Sequence, residues 1–453
     1  MRDSLALKVG MIGLLSLLLL FPLGVIRGKI SERQTYQATV RQAVAESWGG
    51  SQTLLAPIVV QPYTVEVRKE TGSGSERQFT LVTEQRIRML TLQNLQVSAR
   101  LETQRRHRGI YSVPVYNTSL EIQGRVDMKQ LQMAREEIAQ LPRFQSLGKP
   151  YLALALDEQR GISGTPEFIF NDKALPLLPG SGIPGWAAGL RAEVLEPAGA
   201  GLPLALADPD RFTLTLGLRG MESLLVAPVA RVATVSITSP WPHPDFIGAF
   251  LPDSRDISKN GFSAEWSVNE YNNMVGTHLR QCEAGNCGEL RATGLGVQLF
   301  EPVNVYTLAE RASKYGILFI GLSFAAFFAM EVTRKLRIHP IQYAFAGLAL
   351  ALFFLLLISL SEHINFATAY CIAAASCIAL LGLYLRHMLR GQHGAGWFSA
   401  GLSVIYGMIY LTLQAEDYAF LMGSVLTFAV LVATMAATRN IDWYQLRPTN
   451  ATA

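Results

Sequence analysis

A proline-rich stretch in the middle of the chain holds the side chains best suited to acid–base chemistry. His243 and Asp245 lie two residues apart within SPWPHPDFIGAFLPDSRDISKNGFSAEWSVNEY, and Asp253 and Glu265 follow in the same stretch. Histidine titrates near neutral pH, so a histidine beside a carboxylate could pass protons in a catalytic site. Two residues at close spacing are weak grounds for catalysis, and their neighbours favour another interpretation.

Prolines and aromatic residues dominate the same stretch. It has four prolines between residues 240 and 252; each fixes φ, and together they are expected to forbid regular structure. Trp241, Phe246 and Phe250 supply apolar anchors. We therefore expect a stiff loop wedged between sheets by its aromatic side chains. The candidate functional loop comprises Trp241, His243, Asp245, Phe246 and Asp253.

The common catalytic and nucleotide-binding motifs are missing from the sequence. It has no GxSxG elbow, no GxxxxGK[ST] loop, no HExxH and no GxGxxG after a strand. TGSGS and GISGT resemble phosphate loops only in their glycines, and turns explain them better. We predict no catalytic, cofactor-binding or metal-binding residues, no cofactor and no enzymatic activity.

Six stretches are long and apolar enough to cross a bilayer, which takes about 20 helical residues. Backbone polar groups in lipid must pair within the segment, so each stretch is predicted to be a helix. The first starts after a basic residue but lacks a small-x-small cleavage site, which favours an uncleaved anchor kinked or ended by Pro22. The stretches are residues 9–26, 315–330, 340–360, 364–385, 394–413 and 418–438.

Basic residues alternate along the loops and so predict the orientation. The segments SEHIN and QAEDY have no Lys or Arg, whereas the alternate loops and the tail have seven. Lys and Arg are enriched in short cytoplasmic loops, so both termini (1–8 and 439–453) are predicted to be cytoplasmic. Arg27, Lys29 and Arg33 argue locally the other way, but they begin a loop too long for the rule to apply. The basic residues counted are Arg334, Lys335, Arg337, Arg386, Arg390, Arg439 and Arg447.

Residues 27–312 are therefore predicted to lie on the outer face of the membrane, and residues 313–438 to form a domain of five membrane helices. In the first region apolar residues alternate with polar ones, as in FTLTLGLRG and ARVATVSITSPW. Such runs, separated by Gly, Pro, Asn and Asp, predict a mainly-β, sandwich-like domain, with two packed lobes as an alternative. A short separate helix capped by Ser31 is predicted after the anchor, ending at the pair of glycines at 49 and 50. The run QRRHRG is predicted to be a solvated turn, with anionic lipid or polysaccharide as its alternative partner.

Two cysteines of this outer region, Cys282 and Cys287 in QCEAGNCGE, are a candidate disulfide. Disulfides persist outside the cytosol. Zinc would need two more ligands, and neighbouring His278 supplies only one.

Polar side chains in the predicted membrane helices are few. Ionisable residues there usually mark ion or proton pathways, and these spans have them only at ends such as Glu331, which disfavours a proton-coupled transporter. Four residues of the outer loops form a candidate outer-mouth polar cluster, or simply mark the membrane interface: Glu362, His363, Glu416 and Asp417. The net charge of +4 is too small and scattered to suggest nucleic-acid binding. Membrane lipids are predicted partners because of the apolar spans.

Long, specific strings of residues are spread along the chain from residue 46 to 444. They are ESWGGSQTLLAPIVVQPY, the proline-rich stretch quoted above, LFEPVNVYTLAERASKYGILFI, RKLRIHPIQYAFAGLALALFFLLLISLSEHINFATAY, QAEDYAFLMGSVLTFAVLVATM and TRNIDWY. Through these strings the chain resembles the CreD family of inner-membrane proteins of Gram-negative bacteria.

This resemblance implies an envelope-integrity protein with its large domain in the periplasm. It also implies links to a two-component regulatory system, to colicin tolerance and to responses against antibiotics that target the cell wall. It implies no reaction and no site residues. The expected function is non-catalytic, with the periplasmic domain binding an envelope component or a partner protein. A lipid or small-molecule channel, and an enzyme acting on cell wall or lipid through His243, Asp245 or Glu265, are the alternatives.

Overall fold

The computed structural model describes residues 5–71, 78–193, 210–300, 305–333, 338–388 and 392–414, with a few residues between 421 and 435. The chain divides into two compact units. One consists of Met1–Ala38 with Val303–Ala453, and the other of Thr39–Pro302. They are called the helical unit and the β domain below.

The N-terminal helices differ from the sequence prediction in one respect. Helix α1 (Leu5–Leu18) is interrupted at Leu19, because Pro22 has no N–H to donate to the carbonyl four residues earlier. Helix α2 (Leu20–Trp48) then runs without a break to Trp48. The prediction of a separate helix capped by Ser31 was therefore wrong. The predicted end at the glycine pair was right, since Gly49 takes a φ of +115°.

The described part of the β domain is built mainly from strands, with four α-helices among them besides the end of α2. Its helices are α3 (Met128–Ala139), α4 (Glu270–Asn273), α5 (Val275–Glu283) and α6 (Gly288–Ala292). Its strands are β1 (Gln52–Thr71), β2 (Gln78–Leu90), β3 (Leu92–Arg108), β4 (Tyr111–Arg125), β5 (Phe144–Leu147), β6 (Tyr151–Leu156), β7 (Ile162–Phe170), β8 (Lys173–Ala174), β9 (Leu178–Pro179), β10 (Gly189–Glu193), β11 (Arg211–Met221), β12 (Ser223–Ala227), β13 (Ala230–Ser239), β14 (Pro244–Gly248), β15 (Ser254–Ser258), β16 (Gly261–Asn269) and β17 (Leu295–Leu299).

The described strands form two sheets. Sheet A has the order β14-β17-β12-β1-β6-β10-β9, with β2 and β5 also paired to β1. Sheet B has the order β15-β16-β13-β3-β4-β11-β7-β8. One apolar core contains residues of both sheets, among them Leu154 and Val226 of sheet A and Val97 and Trp266 of sheet B. The two sheets therefore form a β-sandwich with a shared apolar core.

A bulge in β1 gives sheet A an apolar layer on each face. Leu54 and Val59 face the sandwich core, while Leu55 and Ile58 join a second apolar cluster. In a regular strand Leu54 and Ile58 would face the same side, because side chains alternate. Here they face opposite sides, because the pairing with β6 shifts register between Leu55 and Ile58. Pro57 lies in this shift, where its missing N–H leaves no ladder hydrogen bond broken. Helices α5 and α6 cover the second cluster with Val275, Leu279 and Leu290.

The helical unit continues with five described helices after the β domain. They are α7 (Val305–Lys314), α8 (Gly316–Thr333), α9 (Pro340–Ser361), α10 (Phe366–Met388) and α11 (Gln392–Gln414). In the described part of the chain three stretches are long and apolar enough to cross a membrane: Gly10–Trp48, Pro340–Ser361 and Phe366–Arg386. Shorter apolar helices lie at Phe319–Phe328 and Phe398–Gln414. The sixth predicted span, 418–438, falls mostly outside the described residues, so six crossings stay a prediction.

Aromatic rings fill the space where four of these helices meet. Phe319 of α8 and Phe353 of α9 each lie with ring centroids 4.7 Å from that of Tyr406 of α11. Tyr370 of α10 donates a hydrogen bond from its hydroxyl to the carbonyl oxygen of Tyr406 (2.7 Å). A buried hydroxyl without a hydrogen-bond partner costs free energy, and this hydrogen bond removes that cost for Tyr370. Among the described helices, this aromatic packing joins α8, α9, α10 and α11.

Candidate functional site

The proline-rich stretch forms three strands instead of an irregular loop. β14 begins at Pro244 and pairs with β17, and β15 pairs with β16 in a hairpin at the edge of sheet B. The expectation that prolines would forbid regular structure here was wrong. β14 is an edge strand of sheet A, and a proline is tolerated at the start of an edge strand.

The aromatic residues of this stretch anchor it on the core, in agreement with the prediction. Trp241 is buried, and its indole N–H donates to the carbonyl oxygen of Phe300 (3.1 Å). Phe246 lies edge-on to Phe262 and Trp266, with ring centroids 5.8 and 5.9 Å apart. Edge-on geometry is the favoured arrangement of aromatic pairs.

The polar members of the candidate loop do not form a catalytic arrangement. His243 and Asp245 are both exposed, and no hydrogen bond between them is found among the described residues. Asp253 accepts a hydrogen bond from the backbone N–H of Ser267 (2.6 Å), so it fastens the start of β15 to β16. Glu265 is exposed on β16. The geometry gives these residues structural or surface positions.

The candidate disulfide pair lies on the second apolar cluster. Cys282 and Cys287 are joined in a disulfide, with Cα atoms 4.1 Å apart, between the end of α5 and the start of α6. Both are buried. Cysteines joined in a disulfide cannot also bind zinc as thiolates. The described residues contain no group of three His, Cys, Asp or Glu side chains placed to hold a metal ion.

Removing the disulfide is expected to destabilise the β domain by about 2 kcal/mol, the chain-entropy value for a short loop. The Cys282→Ser/Cys287→Ser variant should unfold at a lower temperature than the wild type. A reductant should lower the wild-type unfolding temperature toward that of the variant and leave the variant unchanged. Equal unfolding temperatures for oxidised wild type and variant would contradict this prediction.

The candidate outer-mouth cluster has other partners than those predicted from the sequence. Glu362 follows α9 and accepts a hydrogen bond from the hydroxyl of Tyr306 on α7 (3.0 Å). Its carboxylate also lies 3.4 Å from Nε of Arg33 on α2, and its side chain is only 9% exposed. His363 is exposed. The four-residue cluster itself stays a prediction.

Further contacts join the same helices of the helical unit. Arg27 of α2 donates to the carbonyl oxygen of Ser313 (2.8 Å), and Gln34 donates to Glu310 of α7 (3.1 Å). These polar contacts hold α7 against residues 27–34 of α2. Glu416 and Asp417, the remaining members of the predicted cluster, lie outside the described residues.

An open groove of about 610 Å³ lies in the β domain, between α3, the end of β2 and the α4–α5 segment. Three large apolar side chains at its rim are exposed: Met133 (55%), Tyr271 (89%) and Met274 (66%). Charged side chains of both signs lie between them. The charged lining residues are Arg88, Arg280, Glu137, Glu270 and Glu283.

Local structure fixes the position of the rim residues. Asn269 caps α4 by accepting from the N–H groups of Tyr271 and Asn272, and the Asn272 side chain accepts from the N–H of Asn269 in return. Met274 joins α4 to α5 with a φ of +47°. A bulky residue seldom adopts this left-handed conformation, which costs about 1–3 kcal/mol and tends to occur at functional positions. The sequence NEYN was the available signal for this helix start, and it was not used in the prediction.

The floor of the groove contains a partly buried carboxylate. Glu283 accepts a hydrogen bond from the backbone N–H of Met89 (2.7 Å), and Nε of Arg88 lies 3.9 Å away. Burial raises the pKa of Glu283 above its ordinary value, although the Met89 N–H and the two nearby arginines act in the opposite direction. The folded state therefore favours the protonated carboxyl, and ionisation at neutral pH works against folding.

Replacing this carboxyl with an amide is expected to stabilise the protein at neutral pH. Glu283→Gln keeps an oxygen that can accept from Met89 and removes the buried charge. The variant should unfold at a higher temperature than the wild type at pH 7. The difference should shrink as the pH falls toward the ordinary glutamate value of 4.5, where the wild-type carboxyl is protonated as well.

The matched control for that prediction is Glu84→Gln on β2. Glu84 pairs with Arg86 on the surface and should give wild-type unfolding temperatures at both pH values. A Glu283→Gln variant that unfolds earlier than wild type at pH 7 would show that the carboxylate stabilises the fold.

Fold and site together define a membrane protein with a large mainly-β domain and an open groove on that domain. The sequence profile of the family described as Inner membrane protein CreD matches residues 4–444. A curated relative, Inner membrane protein CreD of Escherichia coli (strain K12), is 33% identical over 438 residues, covering 94% of this chain and 91% of the relative. The chain belongs to the CreD family of inner-membrane proteins.

Among solved structures, an M1 zinc metallopeptidase from Deinococcus radiodurans, bound to a Tyr-Ser-Ala substrate, is similar to part of the chain. The identity is 9% and the TM-score 0.21, over 46% of this chain and 42% of that one. A likeness this small carries no argument about fold or activity.

Proposed function

We propose that this protein supports the integrity of the cell envelope without catalysing a reaction. In this proposal the β domain lies in the periplasm and binds an envelope component or a partner protein, while the apolar helices hold it in the inner membrane. It acts within the two-component stress response that the family resemblance implies. The groove bordered by Met133, Tyr271 and Met274 is the observation that carries this proposal.

The chemistry of the groove suits binding of another molecule's surface. Methionine side chains are flexible and polarizable, so Met133 and Met274 can adapt to an irregular apolar surface. Tyr271 offers a rigid apolar ring with a polar tip, a combination enriched at interfaces. Arg88 and Glu283 supply charges of both signs at the base, where they can orient a polar group of the ligand.

Photocrosslinking of the full-length protein in intact cells tests this binding. A photoreactive amino acid in place of Met274 should give covalent adducts that disappear when Met133→Asp is introduced as well. The control is the same amino acid in place of Ile257, which is 49% exposed on β15 but does not line the groove. Adducts of the same size and yield from both positions, or none from position 274, would overturn the groove assignment.

Complementation of a deletion strain separates binding from catalysis. The Met133→Asp/Met274→Asp variant should fail to restore growth under an antibiotic directed at the cell wall. His243→Ala, Asp245→Ala and Glu265→Ala should each restore it fully. Loss of rescue by any of these three surface variants, at wild-type protein levels, would favour the enzyme alternative.

The periplasmic position of the β domain has its own test. Alkaline phosphatase is active only after export, and a cytosolic reporter such as green fluorescent protein reports the opposite side. A fusion of each after residue 200 should give phosphatase activity and no fluorescence. Fluorescence without phosphatase activity would place the domain in the cytosol and refute the proposal.

A further inference from the structure

The hairpin of β3 and β4 extends beyond its neighbours in sheet B. The pairing of β3 with β13 ends at Arg100, and the pairing of β4 with β11 ends at Val115. Between these limits the ladder continues to the pair Arg108 and Tyr111. Residues 105–114 therefore pair only with each other among the described strands. This projecting segment is called the hairpin tip.

The hairpin tip is strongly basic. Arg105, Arg106, His107 and Arg108 are consecutive and exposed, and no acidic residue occurs between Glu102 and Glu121. Within the described part of the chain, Arg106 and Arg108 have no carboxylate in ion-pairing distance. Exposed guanidinium groups without an anionic partner can still bind an anion from outside the molecule.

Aromatic side chains hold the base of the hairpin tip in place and leave the positive charge of its arginines unneutralised. The Arg106 guanidinium lies 4.2 Å from the ring centroid of Trp48, and that of Arg105 lies 5.5 Å from the ring centroid of Trp241. Val113, the cross-strand partner of Arg106, packs on the same face with Val44 of α2. The tip is thus a braced projection and not a loose loop.

An apolar residue lies at the turn itself. Gly109 takes a φ of +62°, the left-handed conformation that a two-residue hairpin turn requires at its first position. The other turn residue is Ile110, which is 46% exposed. Exposed apolar residues flanked by cations are the pattern of segments that lie in the interface of an anionic membrane.

We propose that the hairpin tip is a binding site for anionic phospholipid headgroups. Arg106 and Arg108 bind headgroup phosphates, for which the planar guanidinium offers paired N–H donors. Ile110 enters the boundary between headgroups and acyl chains. A soluble acidic polysaccharide could bind the arginines but would leave Ile110 in water, so a lipid surface fits both features better. Since the chain is already anchored in a membrane, a few weak contacts suffice to keep the tip on lipid.

Hydrogen–deuterium exchange of the full-length protein in nanodiscs tests this inference. Backbone amides of the tip should exchange at least about fivefold more slowly in discs containing equal parts phosphatidylglycerol and phosphatidylcholine than in phosphatidylcholine alone, the effect expected of one cation at an anionic surface. High salt should reduce the protection. Arg108→Glu and Ile110→Asp should each abolish it, at wild-type unfolding temperatures.

The matched control is Arg211→Glu. Arg211 is exposed like Arg108 but pairs with Arg125, at the opposite end of β4. This variant should keep the protection. Equal exchange in both lipids, protection that survives Arg108→Glu and Ile110→Asp, or protection that appears only on adding a soluble acidic polysaccharide would each overturn the proposal. The outcome does not depend on what the groove binds.

Discussion

Trp266→Ala is expected to destabilise the β domain by about 3–5 kcal/mol, the cost of removing a large buried aromatic side chain. Trp266 is fully buried between the sheets. Its indole N–H donates to the carbonyl oxygen of Phe250 (3.1 Å), and its ring lies edge-on to Phe246. The substitution therefore leaves a cavity and an unpaired carbonyl group together. A domain is typically stable by only about 5–15 kcal/mol, so a large part of its stability would be lost.

Urea unfolding of the full-length protein, followed by near-ultraviolet circular dichroism, measures this loss. Trp266→Phe keeps most of the ring packing and should cost less than the alanine variant. Leu251→Ala, at a side chain 73% exposed in the same stretch, should stay within about 0.5 kcal/mol of wild type. An alanine variant at position 266 as stable as Leu251→Ala would contradict the packing described for the sandwich core.

Removing the Glu331 carboxylate is expected to destabilise the helical unit by about 1–3 kcal/mol for each donor left without an acceptor. Glu331 is 5% exposed near the end of α8. It accepts hydrogen bonds from the hydroxyl of Tyr343 (3.0 Å) and from the backbone N–H of Ile338 (3.2 Å). Both donors are buried, so Glu331→Ala leaves them without an acceptor and out of reach of water. Glu331→Gln retains an acceptor oxygen and should cost less.

A double variant identifies the cause of that loss. Adding Tyr343→Phe to Glu331→Ala removes the stranded hydroxyl, so the double variant should be more stable than the sum of the single effects predicts, by about 0.5–3 kcal/mol. Unfolding in mixed detergent micelles, titrated with sodium dodecyl sulfate, measures wild type, Glu331→Ala, Tyr343→Phe and the double variant. Tyr384→Phe, at an exposed tyrosine of α10, is the control and should have little effect. Strict additivity would show that the two side chains do not interact.

Much of the fold could be predicted because local patterns dominate it. Strict alternation in FTLTLGLRG corresponds to β11, whose residues alternate between buried and partly exposed. The glycine pair after Trp48 and the long apolar runs mark helix ends and helices in the same local way. Such signals need only neighbouring residues, and a single sequence contains them.

The errors arose where distant residues decide the outcome. Pro244 begins a strand because β17, far along the chain, offers an edge on which its missing N–H is harmless. Helix α2 continues through Ser31, although the sequence there offers a plausible cap. The packing of Val44 on Val113 and Val115 fixes the end of that helix on sheet B. Tertiary contacts of this kind override local preferences.

The groove was missed for a related reason. It joins Met89 at the end of β2, Met133 on α3 and Met274 before α5, which the sequence keeps far apart. No motif links them, since their common feature is a shared surface. The prediction of a turn at QRRHRG was wrong for most of its length, because its first five residues end β3 and only Gly109 lies in the turn. Its exposure to solvent was predicted correctly, since consecutive charges are a local pattern. The disulfide is likewise local, with five residues of separation between its cysteines.

The parallel pairing of β1 with β12 has a consequence for how the protein is made. Gln52 is synthesised early, yet its partner in the ladder, Leu224, emerges much later. Until then residues 52–55 of β1 have one open edge, and an open apolar strand edge invites pairing with other chains. Newly made protein should therefore need a holding chaperone on the side where the domain folds, until β12 has emerged and closed that edge.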